Sequence, residues 1–201
     1  MDHVKSGSGA QGKTTGHMVV VVGPSGAGKD TLMAYAARHL AGRTDVVFVR
    51  RVITRDGDAG GEDHDAVSEA QFDRMAEDGG FAVSWEAHGL RYGIPSQVLQ
   101  QIANGRLVIA NGSRSALPRF KAPFPDMTVI NVTARPEVLA DRLEARGRET
   151  REEILRRLER RSLALDGDYD VVTIDNSGTL DDAGKVLVEA LSTYLAPAGS
   201  R

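Results

Sequence analysis

The sequence predicts an α/β fold, a parallel five-stranded core sheet flanked by helices, on three observations. Apolar runs at 18–22, 45–49, 107–110, 127–132 and 171–174 are separated mostly by segments with helical spacing, the alternation that lays crossover helices over a parallel sheet. The first run, "MVVVV", is continuous, as a strand buried on both faces requires. It leads straight into a glycine-rich turn, "GPSGAGKD" at 23–30, and then a helical pattern.

Taken in order, residues 1–17 are rich in Gly, Ser, Thr, Lys, His and Gln and are expected to be a flexible tail, because such a segment lacks the apolar residues that offset ordering entropy. That tail contains "GSGAQGKT" at 7–14, a full match to G-x-x-x-x-G-K-[ST]. It has no strand before it and Gly16 soon after it, so the phosphate-binding context is missing. The strand at 18–22 and the helix carrying Leu32, Ala36 and Leu40, with Gly42 as its expected C-cap, supply that context for the second loop instead. "SEAQ" at 68–71 reads as a capping box opening a helix to about 78, and "TREE" at 150–153 as another opening a helix to about 163. Further helices are expected over about 95–104 and 180–195, within one domain spanning 18–196 and followed by a short tail at 197–201.

Composition narrows the function classes. With 201 residues, 41% hydrophobic and 26% charged, the chain has material for one real core. No run approaches the roughly 18 apolar residues that span a membrane, and no signal-peptide pattern opens the sequence, so neither membrane nor export is expected and the default compartment is cytoplasmic. The absence of cysteine removes disulfide, thiol and thiolate-zinc chemistry. A formal charge of -3 gives no broad reason to expect nucleic acid, although basic residues cluster at 50–55 and 142–161.

The chemistry-bearing residues begin with the loop itself. Gly23, Pro24, Ser25, Gly26, Ala27 and Gly28 form a backbone cradle for phosphate, Lys29 adds a positive charge near the transferred group, and Asp30 and Thr31 open the helix. Asp30 stands where a Mg²⁺-binding hydroxyl is usual, and the strand end at "LVIANGS" offers Asn111 where a metal-side carboxylate is usual. Asp30 therefore reads either as the metal-side carboxylate, since Mg²⁺ favours hard oxygens, or as an acidic residue favoured in a first helical turn.

Further motifs follow in a recognisable order: "RRVITRDGDAGGEDHDAVS", "FAVSWEAHGLRYGIP", "NGSR" and "RLEARGRETREEILRRLERR". In this combination the chain resembles the guanylate kinase superfamily over about residues 18–195, and within it the ribose 1,5-bisphosphate phosphokinases, whose loop also ends in "GKD". The resemblance implies a P-loop kinase fold with an acceptor-binding subdomain at about 51–104 and an Arg-rich lid at about 141–161. It implies ATP and Mg²⁺ as cofactors, a small phosphorylated sugar as acceptor and 5-phosphoribosyl 1-diphosphate as product, in phosphonate breakdown. It leaves the oligomeric state open.

Carried over by position, Arg55 and Tyr92 are expected to hold the acceptor phosphate, Arg51 replaces a phosphate-binding Ser, and His64, close behind Glu62, replaces a phosphate-binding Tyr. Ser84 and Ile94 occupy the two guanine-reading positions, and losing such partners argues against guanine. Trp85 between them reads as a core anchor. Ser84, His88 and Arg114 are candidates for the sugar or its second phosphate, and Glu62 joins the acceptor set. Lid arginines are expected at Arg142, Arg146 and Arg157, and Asn176 of "DNSG" is expected near the adenine. The competing readings are a divergent guanylate kinase and a non-catalytic guanylate-kinase-like binding module.

Overall fold

The computed structural model describes residues 16–55, 63–145, 151, 154, 165 and 167–195. Its core sheet is parallel throughout, in the order β2-β7-β1-β8-β9, formed by β1 (His17–Val22), β2 (Val46–Phe48), β7 (Leu107–Asn111), β8 (Thr128–Thr133) and β9 (Asp170–Asp175). Five of the six residues of β1 are buried, as the continuous apolar run demands. Alternate residues serve two cores. Val19, Val21, Ile109, Ile130 and Val132 pack with α1 (Lys29–His39), α5 (Pro136–Glu144) and α6 (Leu180–Ser192). Val20, Val22, Val108 and Val129 face the other way, toward α3 (Gln97–Ala103), α4 (Leu117–Lys121) and a second sheet.

That second sheet, order β4-β3-β6-β5, is built from β3 (Arg51–Ile53), β4 (His64–Ala66), β5 (Phe81–Ala87) and β6 (Leu90–Pro95). Its strands at 51–53 and 64–66 are too short to show a period in sequence. Only Val49 and Arg50 separate β3 from β2, and Val49 N–H still bonds Ile109 O at 2.9 Å. This short connection sets Arg51 at the carboxyl edge of the core sheet, where the phosphate loop also lies; open parallel sheets bind ligands at that edge.

Ser68 caps α2 (Glu69–Glu77) in a full capping box with Gln71. The helix expected from Pro95 begins instead at Gln97, because Pro95 ends β6 and Ser96 N–H bonds Gly80 O. Gly42 is not the C-cap of α1; Leu40 is, its N–H closing on Ala36 O, and Gly42 follows in the next turn. β1 begins at His17, whose Nε2 lies 2.9 Å from Thr128 Oγ1 and whose ring stacks on Tyr194. The expected helix over 150–163 and both tails, apart from residues 16 and 17, lie almost wholly outside the described residues.

Candidate active site

The site begins where β1 runs out. A Cβ on Gly23 would stand 2.2 Å from Val132 O, so glycine alone lets the loop leave the strand against the end of β8. Gly28 sits at φ 86 as the N-cap of α1, and a Cβ there would come within 2.5 Å of Asn176 Nδ2. Between them Ala27 N–H turns back to Pro24 O. Lys29 donates to Gly23 O at 3.0 Å and to Pro24 O at 3.3 Å, which holds its ammonium over the loop. A cradle of N–H groups at a helix N-terminus with a lysine across it is an anion site.

A brace stands behind the loop. Asn176 is 4% exposed and donates from Nδ2 to Ala27 O at 2.8 Å. Arg142, near the end of α5, donates to Asn176 O at 2.9 Å and to Gly26 O at 3.4 Å. The amide nitrogen expected near adenine is thus committed to the loop backbone, while Asn176 Oδ1 is buried without a partner among the described residues.

Beside the loop, the exposed Asp30 accepts a 2.7 Å hydrogen bond at Oδ1 from Nδ2 of Asn111, the last residue of β7. The solvent-facing carboxylate at the mouth of the phosphate loop is a hard-oxygen donor of the kind Mg²⁺ takes, so the residues present fit that ion. Among the described residues there is no cluster of three His, Asp or Glu that would form an all-protein metal cage. From the same edge Arg114 donates to Asn131 Oδ1 at 3.2 Å. Asn131 was not anticipated, yet a polar residue in the apolar run "MTVINV" was a legible signal: a buried amide needs a partner.

The second sheet carries a separate cationic face. The Arg51 guanidinium lies 4.9 Å from the Tyr92 ring centre and 5.6 Å from that of Trp85, whose rings stack at 5.3 Å. A guanidinium over aromatic rings is attracted by their negative faces. His64, buried opposite Arg51 in β4, has Nδ1 3.5 Å from Arg55 Nη2 and Nε2 3.4 Å from Arg55 O. Arg50, part of the basic cluster at 50–55 but given no role in sequence, holds the strand with a bond to His64 O and ion pairs to Asp63 and Asp65.

Three expectations are corrected or left aside. Ser84 does not join Arg51 and Tyr92: Val83 and Trp85 on either side of it are buried in the core, so strand alternation turns its side chain to the opposite face. His88 lies at the exposed tip of the β5–β6 hairpin, where it and Gly89 both take positive φ, as a two-residue turn requires. Glu62, Arg146 and Arg157 fall outside the described residues. Trp85 is a core residue, 4% exposed and packed near Phe120, and also the platform under Arg51, a second role that sequence did not suggest. Ile94, with 0% exposure, presents nothing to a base.

A family model described as AAA domain matches residues 19–163. A ribose 1,5-bisphosphate phosphokinase from Agrobacterium fabrum is 62% identical over 87% of this chain and 95% of its own length. Another of the same name from Rhizobium etli is 60% identical over 94% and 95%. Among solved structures, a guanylate kinase from Anaplasma phagocytophilum superposes with a TM-score of 0.63 at 18% identity, covering 92% of this chain and 89% of that one. That structural likeness speaks for the fold alone.

Proposed function

We propose a division of labour between loop and second sheet for this chain, which belongs to the AAA-domain family and, within it, to the ribose 1,5-bisphosphate phosphokinases. It is a kinase that binds ATP and phosphorylates ribose 1,5-bisphosphate. The transfer forms a bond from an oxygen of the 1-phosphate to the γ-phosphorus and breaks the bond from that phosphorus to the β,γ-bridging oxygen. ADP leaves, and 5-phosphoribosyl 1-diphosphate is the product. The acceptor phosphate is already anionic, so positioning and charge neutralisation supply the catalysis and no general base is required.

In this reading the loop from Gly23 to Gly28 with the first turn of α1 holds the ATP phosphates. Lys29 exchanges its two loop carbonyls for phosphate oxygens. Arg142 and Asn176 keep the loop in shape from behind, and the further cations assigned to the transferred phosphoryl group are Arg146 and Arg157. Asp30 is the metal-side carboxylate: it would hold Mg²⁺, which when bound would supply positive charge to the transferring phosphates. Arg51, Arg55, His64 and Tyr92 receive the sugar bisphosphate.

The observation that supports the acceptor assignment best is the Arg51 guanidinium held over the Tyr92 ring, 4.9 Å from its centre. A planar, permanently charged fork suits a phosphate, and no carboxylate stands at the former base-reading positions, Ser84 and Ile94. Steady-state kinetics with ribose 1,5-bisphosphate and with GMP test it. A large preference for the bisphosphate is expected; equal efficiency with GMP would restore the guanylate kinase reading, and no ATP turnover with either would leave a binding module.

A further inference from the structure

Asn111 ends an otherwise apolar strand, "LVIAN", and is only 3% exposed. Burying an amide costs free energy unless it is hydrogen-bonded, and Asn111 Nδ2 donates to the carboxylate of Asp30 on the neighbouring helix start, at 2.7 Å. β7 and β1 are adjacent and in register, with Asn111 beside Val21, so the strand end and the loop end meet across one strand spacing.

In most P-loop proteins the loop residue at this point carries a hydroxyl and the strand end a carboxylate. We infer that the two polar roles are exchanged in this chain: Asn111 is a positioning residue that ties down Asp30 Oδ1 and so leaves Oδ2 for the metal side of the phosphates. The inference rests on the assignment of Asp30 to the metal. The exchange keeps a single carboxylate in the pair. A second carboxylate at position 111 would set like charges at hydrogen-bond distance and penalise the ionised state of both, which is why the strand end carries the neutral amide once the loop residue is acidic.

The test is a swap. Asp30→Ala, Asp30→Ser, Asn111→Ala, Asn111→Ser, Asn111→Asp and the double variant Asp30→Ser/Asn111→Asp are compared for Mg²⁺-dependent binding of a fluorescent ATP analogue, thermal stability and kcat with ribose 1,5-bisphosphate. Each single variant is expected to raise the Mg²⁺ concentration needed for half-maximal nucleotide binding by about tenfold or more, with kcat falling while the acceptor KM holds. The double variant, which restores the usual arrangement, is expected to recover most of both losses, a coupling that independent sites would not show. A double variant no better than the worse single variant overturns the exchange. So does an Asn111→Ala or Asn111→Ser protein that remains folded and keeps the parental Mg²⁺ dependence. If Asp30→Ala itself keeps that dependence, the metal assignment of Asp30 falls first; if Asp30→Ala shifts it and the Asn111 variants do not, only the positioning role fails.

Discussion

In the proposed division of labour, the phosphate loop and the second sheet hold phosphate by opposite means. In the loop, backbone does the work: Lys29 rests on the carbonyls of Gly23 and Pro24, Asn176 grips Ala27 O, and Arg142 grips Gly26 O. In the second sheet, side chains hold side chains: Arg51 lies on the rings of Tyr92 and Trp85, and Arg55 meets His64. A cradle of N–H groups recognises any polyphosphate and needs only a fixed shape, which many backbone bonds secure. Choosing one acceptor requires charges at particular points, and those come from a platform that substitution can redraw.

If this contrast holds, loop and sheet variants fail in different kinetic constants. Lys29→Ala is expected to have the largest effect, a loss in kcat of about 10²–10³-fold with the melting temperature near that of the parent, since it removes charge at the developing transition state; parental turnover would break the contrast at its root. Arg51→Ala comes next, with kcat/KM for ribose 1,5-bisphosphate falling by about 1.5–3 kcal/mol as a charged hydrogen bond is lost. The KM for ATP should stay constant, and Arg51→Lys should recover only part, because the ammonium lacks the planar fork. A rise in the KM for ATP instead would assign Arg51 to the donor side.

Asn176→Ala sharpens the comparison from the loop side. Removing the amide leaves Ala27 O without its partner, which costs about 1–2 kcal/mol of stability. Thermal melts should show that loss, and the KM for ATP should rise while that for the acceptor does not. The smallest effect lies at the far edge of the core sheet, outside both halves. Burial holds the pKa of His17 below its ordinary value of 6.5, against the opposing pull of Asp170 and Asp126. The unfolded chain therefore binds the proton more readily, so stability is fully present above the unfolded pKa and is lost as pH falls through it toward the folded value. Denaturant melts between pH 7.5 and 5 should record a decline that His17→Gln flattens; an equally steep decline in that variant would assign the effect to other groups.

Much of the core and the loop was legible because the central strand β1 is a continuous, buried apolar run, and "GPSGAGKD" follows it directly. The second sheet was not. Its strands at 51–53 and 64–66 are three residues each, and pairing rather than periodicity makes them strands. The hairpin register was equally hidden: that Trp85 faces Tyr92 and Ser84 faces Gly93 follows from the two-residue turn at His88 and Gly89, and a one-residue difference in register changes which side chains share a face.

By itself the sequence determined the alternating architecture and the strand, glycine loop and helix that follow one another from 17 to 39, and it places arginines at 50, 51 and 55 with no carboxylate at 84 or 94. These depend on local composition and on neighbours within a few residues. Tertiary structure alone decided that Arg51 lies on Tyr92, that Asn176 holds the loop instead of reaching out from it, and that Asn111 bonds an aspartate 81 positions earlier in the chain. A hydrogen bond or a stacked cation is defined to within tenths of an ångström. Only the packing of strands against one another, not their order along the chain, brings distant residues that close.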